Sequence, residues 1–193
     1  MKLCVYCGSS RGKNDSYQAI AIDLGKTFAT RNIGLVYGGG RVGLMGIIAE
    51  TVMQHGGEVT GIIPQFLNES EGIAFDSITN VHITDSMHTR KAMMYDLADG
   101  FIALPGGYGT LDEVFETVTW AQLGLHQKPI GILNTNGYYN HLVAHLDLMV
   151  AEGFLSVKNR KMLLVGDNLN DLLAEMAAYE APDGKKWLEN VVL

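Results

Sequence analysis

The stretch Phe101-Ile102-Ala103-Leu104-Pro105-Gly106-Gly107-Tyr108-Gly109-Thr110 contains a strand, a glycine-rich turn and the start of a helix. Its first four residues form an uninterrupted apolar run, which is typical of a central parallel strand buried on both faces. The three glycines after Pro105 break the strand, and the pattern beyond them predicts a helix from about Thr110 to Leu123. A strand that turns into a helix through glycines is characteristic of doubly wound α/β folds.

The same alternation continues in both directions from this stretch. Further short apolar strands are predicted at Lys2–Cys7, Leu35–Tyr37, Glu58–Ile63, Val81–Ile83, Pro129–Leu133 and Met162–Val165, with helices between most of them. Residues 65–78 lack periodicity and are predicted to form a surface loop. Strands alternating with helices indicate a Rossmann-like, doubly wound parallel sheet with helices on both faces. We expect a single nucleotide-binding α/β domain over residues 1–193, with a core at about 2–180 and a tail at 181–193.

The composition limits the classes of function that are open to the chain. Hydrophobic residues make up 47% and charged residues 18% of the sequence, which predicts a compact globule. The net charge of −7 argues against a nucleic-acid surface, because binding the phosphate backbone needs a basic stripe. No stretch approaches the roughly 20 apolar residues of a membrane span. Two cysteines cannot form a disulfide framework, so we expect a cytoplasmic protein.

A second glycine-rich turn follows the predicted strand at Leu35–Tyr37. Residues Gly38 to Gly43 form a literal G-x-G-x-x-G, and Glu58 lies about 20 residues beyond, where a dinucleotide-binding fold has its ribose-binding acid. Glycines let a phosphate approach backbone N–H groups and the positive end of the next helix. A tight strand–helix crossing that binds nothing also needs small residues, so this motif alone leaves both interpretations open.

The turn after Leu104 is more informative, since it combines glycines with the hydroxyl of Thr110 and, one turn into the helix, the carboxylate of Glu113. Acidic residues are common at helix starts because they complement the helix dipole. That general preference does not explain a carboxylate beside a loop shaped for an anion. Ligands of parallel sheets bind outside the carboxyl ends of the strands. The two turns therefore predict a two-walled pocket suited to a mononucleotide.

The residues Pro105 to Glu113 resemble the PGGxGTxxE signature of the Lonely Guy family, cytokinin riboside 5′-monophosphate phosphoribohydrolases that are often labelled lysine decarboxylases. The similarity continues in the same order through residues 7–10, 37–40, 43–46, 87–91 and 120–124, and it covers about residues 2–180. It implies a Rossmann-like fold, a homodimer, and hydrolysis of AMP-like or N6-substituted adenine nucleotides to free base and ribose 5-phosphate. We expect no cofactor, no metal, no nucleic acid and no membrane among its partners.

The resemblance also implies roles for individual residues. Arg90 and Glu113 match the catalytic pair of the family. The positions that match the family's substrate contacts are Glu71, Arg90, Lys91, Gly107, Tyr108, Gly109, Thr110, Leu111, Asp112, Glu113 and Thr119. In the turns that follow the first two strands, we also expect Ser9, Gly39 and Gly40 to contact the substrate. Asp112 replaces the more usual glutamate, and the residues around Glu71 depart from the plant pattern.

Cleavage of an N-glycosidic bond passes through an oxocarbenium-like ribose, which a nearby carboxylate stabilises. We expect Glu113 to have this role and to orient the attacking water. The guanidinium of Arg90 suits either a phosphate or the orientation of Glu113, and Lys91 adds a point charge.

Two other classes of protein fit part of the pattern. A module that senses or carries a nucleotide without cleaving it would use the same glycine turns, but it does not require Glu113 together with Arg90. An NAD-dependent oxidoreductase is supported by the G-x-G-x-x-G motif and Glu58 alone. The C-x-x-C of Cys4 and Cys7 lies in a predicted strand, where residues three apart face opposite sides, so we expect no redox or metal role for it.

Overall fold

The computed structural model describes residues 1–71 and 78–182, and only the backbone of Ser70 and Glu71. Within these ranges the strands are β1 (Lys2–Tyr6), β2 (Gly34–Tyr37), β3 (Val59–Pro64), β4 (Asn80–Thr84), β5 (Gly100–Ala103), β6 (Ile130–Leu133) and β7 (Leu163–Gly166). The helices are α1 (Asp15–Thr30), α2 (Gly43–Gln54), α3 (Gln65–Glu71), α4 (Met87–Leu97), α5 (Tyr108–Gln122), α6 (Asn140–Ala151), α7 (Val157–Arg160) and α8 (Leu169–Ala177). A short 3₁₀ turn, Thr135–Gly137, precedes α6.

The strands of the described chain form one sheet in the order β4-β3-β2-β1-β5-β6-β7, and every neighbouring pair is parallel. From β1 the chain moves outward to β4, then returns to the middle and continues through β5 towards the opposite edge. β1 and β5 are therefore neighbours at the centre, with Leu3 opposite Gly100 and Tyr6 opposite Ala103. Open α/β sheets bind ligands at such a point, beyond the carboxyl ends of the two strands. The predicted fold class is confirmed.

Each face of the sheet has its own hydrophobic core, because successive strand residues point to opposite sides. Leu3 and Val5 of β1 pack among residues of α1, α2 and α8, whereas Cys4 and Tyr6 pack among residues of α4, α5 and α6. Phe28, at the end of α1, is completely buried in the first core. The apolar runs of the sequence are continuous because both faces of each central strand are covered.

The loop predicted over residues 65–78 is wrong in its first half. Residues Gln65–Glu71 form α3, which begins directly after Pro64 ends β3. A seven-residue helix is too short to show an apolar period, and it is supported locally by an i,i+4 hydrogen bond from the side chain of Gln65 to Glu69 (2.9 Å). Residues 72–77 lie outside the described ranges, as does the part of the predicted tail from 183 to 193.

The helices of the described ranges are all too short or too polar to cross a bilayer.

We predict that Phe28→Ala lowers the free energy of unfolding by about 3–5 kcal/mol, because it removes a fully buried ring and leaves a cavity. Phe154→Ala is the matched control, since the ring of Phe154 is 88% exposed and the same substitution there should cost well under about 1 kcal/mol. Urea unfolding of both variants measures the difference. Similar losses in the two variants would contradict the assignment of Phe28 to the core.

Candidate active site

The turn after β1 joins the two glycine-rich turns. The backbone N–H of Gly8 donates to the carbonyl of Pro105 (3.1 Å), and the carbonyl of Gly8 accepts from the N–H of Leu44 (3.0 Å). A Cβ at Gly43, whose φ is +66°, would overlap the backbone of Ser9 and Ser10. At least one glycine of the first motif is therefore required by the approach of three turns, whatever they bind.

Arg90 lies on α4, buried under the first glycine turn. Its Nε donates to the carbonyl of Ile62 (3.1 Å), and its Nη1 lies 3.1 Å from Oε1 of Glu113. A Cβ at Gly38 would overlap the guanidinium, so the first glycine of the G-x-G-x-x-G makes room for Arg90. The residue is only 8% exposed, and both of these contacts hold its head group in one place.

Glu113 is the partner of Arg90 on α5, and its side chain is 11% exposed. Burial raises the pKa of this carboxyl, and the neighbouring Arg90 opposes that shift. The backbone of the same helical turn is also linked to the sheet. Thr117 donates its hydroxyl hydrogen to the carbonyl of Glu113 (2.8 Å). Because Thr117 has no second hydrogen to donate, the hydroxyl of Tyr6 on β1 is the donor in the 3.0 Å bond between Tyr6 and Thr117. The carboxylate is thus fixed both through its own charge and through its backbone.

Lys91, the residue after Arg90 on α4, contacts a different face of α5 from the one that carries Glu113. Its ammonium lies 3.1 Å from Asp112 and 2.9 Å from Glu116. Burial lowers the pKa of Lys91, but the hydrogen bonds that its ammonium donates to Glu116 and Asp112, together with their negative charges, outweigh burial and raise it. We call this side of α5 its outer face. It bounds a groove of about 430 Å³, which is lined by Leu111, Asp112, Phe115, Glu116, Thr119 and Trp120. Thr119 is exposed there.

The start of α5 is open to a ligand. Gly107 is the N-cap and makes no side-chain capping bond, and a Cβ at Gly107 or Gly109 would meet no atom within 4 Å. Tyr108 is 94% exposed, whereas Thr110 is buried against Gly106. These positions provide backbone N–H groups at an accessible helix start, as an anion requires.

A cavity of about 330 Å³ lies beside this helix start, on the side of α1. We call it the Arg11 cavity; it is lined by Gly8, Ser9, Ser10, Arg11, Gly12, Tyr17, Leu44, Pro105, Gly106, Gly107 and Tyr138. The hydroxyl of Tyr138 donates to the carbonyl of Gly106 (2.7 Å), and its ring meets the ring of Tyr17 edge to face at 5.7 Å. Sequence reasoning missed Arg11, Tyr17 and Tyr138; the signal for Arg11 was its place directly after the turn that ends β1.

The structure brings together only part of the predicted set of site residues. Arg90, Glu113 and the glycines of both turns lie at the carboxyl edge of the sheet, where Gly39 has a φ of +76° and Gly40 packs against Met45. Thr119 lies on the outer face of α5 instead, away from the Arg90–Glu113 pair. Glu71 is the last residue of α3, and its side chain lies outside the described part of the chain.

The position of Glu58 contradicts the interpretation of the first motif as a dinucleotide-binding site, in which Glu58 would bind the ribose. It precedes β3, and its carboxylate pairs with Lys2 at 2.6 Å and accepts from the side chain of Asn80 at 3.2 Å. These residues lie at the amino ends of their strands, on the opposite edge of the sheet from the glycine turns. A ribose bound at those turns is therefore out of reach of Glu58.

Comparisons with known proteins place the chain among nucleotide hydrolases. A family profile described as "Possible lysine decarboxylase" matches residues 45–176. The cytokinin riboside 5′-monophosphate phosphoribohydrolase LOG7 of Arabidopsis thaliana is 49% identical over 179 residues, which cover 93% of this chain and 82% of that protein. The cytokinin riboside 5′-monophosphate phosphoribohydrolase LOG of Oryza sativa subsp. japonica is 44% identical over 178 residues, covering 92% and 73%.

Solved structures share the fold at lower identity. The Moco carrier protein from Chlamydomonas reinhardtii superposes with a TM-score of 0.67 at 18% identity, covering 92% of this chain and 95% of that one. The molybdenum cofactor binding protein from Rippkaea orientalis gives a TM-score of 0.69 at 20% identity, with coverages of 92% and 95%. Likeness at this level of identity shows the fold and nothing about the ligand.

We predict that Arg90→Met destabilises the protein by about 3–5 kcal/mol at neutral pH, because it leaves the carboxylate of Glu113 buried without a counter-charge. The double variant Arg90→Met/Glu113→Gln should recover part of that loss, since it no longer buries a charge. Losing Arg90 raises the folded pKa of Glu113 further above its unfolded value. The penalty is therefore absent below the unfolded pKa, grows as pH rises from the unfolded to the folded pKa, and stays constant above the folded pKa.

The measurement is the free energy of unfolding in urea, at neutral and acidic pH, for the wild type, the two single variants and the double variant. Equal destabilisation of the single and double variants, or a penalty that persists unchanged at acidic pH, would show that the two side chains do not act as a buried ion pair.

Proposed function

This chain belongs to the Lonely Guy family of cytokinin riboside 5′-monophosphate phosphoribohydrolases, and we propose that it hydrolyses the N-glycosidic bond of a nucleoside 5′-monophosphate. The products are the free base and ribose 5-phosphate. The observation that carries the proposal is the pair of Arg90 and Glu113, buried between the glycine turns at the carboxyl edge of the sheet. A lysine decarboxylase would need a Schiff-base lysine, whereas Lys91 is engaged by Asp112 and Glu116.

The dimensions of α5 suit one ribose phosphate. From Gly107 to Glu113 the helix rises by about 9 Å at 1.5 Å per residue. The side chain of Glu113 leans back towards the helix start, because Cα–Cβ bonds in a helix tilt towards the N-terminus. A phosphate held at the accessible turn of Gly107 to Gly109 thus leaves the anomeric carbon of its sugar near the carboxylate.

Glu113 acts on the sugar in this proposal. Water attacks the anomeric carbon while the carbon–nitrogen bond breaks and the base leaves with the bonding electrons. The ionised carboxylate stabilises the positive charge that develops on the ribose, and it orients the water. It has to be ionised for this role, which the neighbouring charge of Arg90 favours against the effect of burial.

Arg90 orients Glu113 in this scheme and does not bind the phosphate. Its Nε is engaged by Ile62 and its Nη1 by Glu113, so the guanidinium is already neutralised and held. Of the two roles that the sequence left open for Arg90, this geometry favours positioning of the carboxylate.

The substrate class follows from the relatives and not from the cavity walls. We propose adenine nucleotides, either AMP or its N6-substituted derivatives, since the relatives are named for cytokinin riboside 5′-monophosphates. A carrier that binds a nucleotide without cleaving it has no need of a desolvated carboxylate fixed beside the sugar. The buried Glu113 therefore favours the hydrolase over the carrier.

We further propose that two copies of the chain associate through the outer face of α5. Leu111, Phe115 and Trp120 line the groove there, and Leu125, whose N–H donates to the carbonyl of Trp120, is 64% exposed. Exposed apolar surface of this kind is typical of association sites. The apolar segment Trp187–Leu193, also a candidate for this contact, lies outside the described residues.

Sedimentation at micromolar concentration tests the association. We expect a dimer for the wild type and a monomer for Leu125→Glu, because the new charge would be buried without a partner. Leu148→Glu on α6, at a site that is 52% exposed, is the control and should remain dimeric. A monomeric wild type would contradict the proposal.

A reducing cytoplasm is the compartment that suits the chain. Cys4 and Cys7 are both free and buried, and burial raises the pKa of both thiols, which keeps them protonated and unreactive. Disulfide-free chains of this kind are typical of reducing compartments.

Glu113→Gln tests the catalytic assignment. We expect this variant to bind AMP with affinity close to wild type and to lose at least about 10²-fold in kcat, the usual scale for one electrostatic group in a transition state. Release of free base from AMP and from isopentenyladenosine monophosphate measures turnover, and calorimetry measures binding. Glu175→Gln, at an exposed position of α8, is the matched control and should keep wild-type turnover.

Two outcomes would contradict this account. Turnover of Glu113→Gln at the wild-type rate would remove the carboxylate from the mechanism. Tight binding of intact nucleotide by the wild-type protein, without release of base from either substrate, would favour the carrier.

A further inference from the structure

Both cations that the sequence suggested for the phosphate are already engaged by carboxylates. Arg90 pairs with Glu113, and Lys91 with Asp112 and Glu116. A dianionic phosphate placed against either cation would also meet the paired carboxylates, which repel it. In a chain with a net charge of −7, the counter-charge for the phosphate must come from another residue.

The Arg11 cavity has the opposite electrostatic character. Among the described residues that line it there is no aspartate or glutamate, and they include Arg11, Ser9 and Ser10. Within residues 1–71 and 78–182, Arg11 has neither an ion pair nor a hydrogen bond, so its donors are available. The volume of about 330 Å³ is within the range of small-molecule sites.

The position of Arg11 is set by backbone contacts. Arg11 follows Gly8 by three residues, and Gly8 is bonded to both glycine turns through Pro105 and Leu44. The same segment is closed by a bond from the N–H of Gly12 to the hydroxyl of Ser10 (3.2 Å). The guanidinium is thus borne on a short, anchored turn that shares a cavity with Gly107, the start of α5.

We propose that Arg11 is the cation that binds the 5′-phosphate of the substrate, within the Arg11 cavity. This inference rests on the proposed function, and it names the residue that recognises the phosphate. A guanidinium matches the oxygens of a phosphate in pairs, which an ammonium does not. In this arrangement the phosphate and its cation lie beyond Gly107, while the Arg90–Glu113 pair stays free to act on the sugar.

Arg11→Gln tests the inference, with Arg31→Gln as the matched control. Arg31 is an exposed arginine that follows α1, at the edge of the sheet opposite the glycine turns, and it also lacks an ion pair in the described chain. We expect Arg11→Gln to raise KM for the nucleoside 5′-monophosphate roughly 10-fold or more, the scale of a hydrogen bond to a charged group. Its kcat should stay within about 3-fold of wild type, Arg11→Lys should be intermediate, and Arg31→Gln should match wild type.

The corresponding nucleoside, which lacks the phosphate, separates recognition from folding. Arg11→Gln should bind the nucleoside as the wild type does, whereas a general distortion of the site would weaken nucleoside and nucleotide alike. Equal KM values for Arg11→Gln and wild type with the nucleotide, or an equal loss with the nucleoside, would overturn the inference.

A binding measurement keeps the inference independent of turnover. Calorimetric titration of the Glu113→Gln protein with AMP, with and without Arg11→Gln, should show a loss of affinity of roughly 10-fold. If the wild type releases no base but this loss is seen, the hydrolytic function fails and the phosphate site stands. If base is released and the affinity is unchanged, the function stands and Arg11 is not the phosphate cation.

Discussion

The contact of three backbone turns at the centre of the sheet is the constraint from which the site follows. Gly8 bonds to the turn after β5 through Pro105 and to the start of α2 through Leu44. Because β1 lies between β2 and β5, these three turns share one edge of the sheet, and glycine at positions 43 and 106 lets them meet without a Cβ between them. This close contact of the three turns leaves the start of α5 open to a ligand, and the Arg11 cavity lies beside that helix start.

The charged side chains of the described site residues fall into three separate groups at this edge of the sheet. The Arg90–Glu113 pair is largely removed from water, and the desolvation of both charges offsets much of what their attraction contributes to stability. In the proposed mechanism its value is chemical, as a carboxylate held in one orientation beside the sugar. Lys91 of α4 and its two carboxylates form a separate group on the outer face of α5, and the described residues that line the Arg11 cavity include Arg11 but no acid.

The same sheet is found in proteins with other ligands. The Moco carrier protein and the molybdenum cofactor binding protein each superpose over 92% of the chain, at 18% and 20% identity, so the fold alone does not distinguish a carrier from a hydrolase. The feature of this chain that bears on the choice is the buried carboxylate of Glu113 with its arginine. The profile that matches this chain is described as a possible lysine decarboxylase. The environment of Lys91 does not support that activity, because its ammonium is paired with Asp112 and Glu116.

The sequence by itself determined the alternation of strands and helices and the two glycine turns at the carboxyl ends of strands. These features are local, since apolar runs and glycines act over a few residues. Arg90 and Glu113 came from the resemblance of the sequence to a known family. Tertiary structure alone decided which charges meet. Glu58 pairs with Lys2 at the far edge of the sheet, Lys91 pairs with Asp112, and Arg11 has no partner within residues 1–71 and 78–182. Each of these outcomes depends on contacts between elements distant in the chain. Such contacts follow from the order of the strands, and no local pattern records that order.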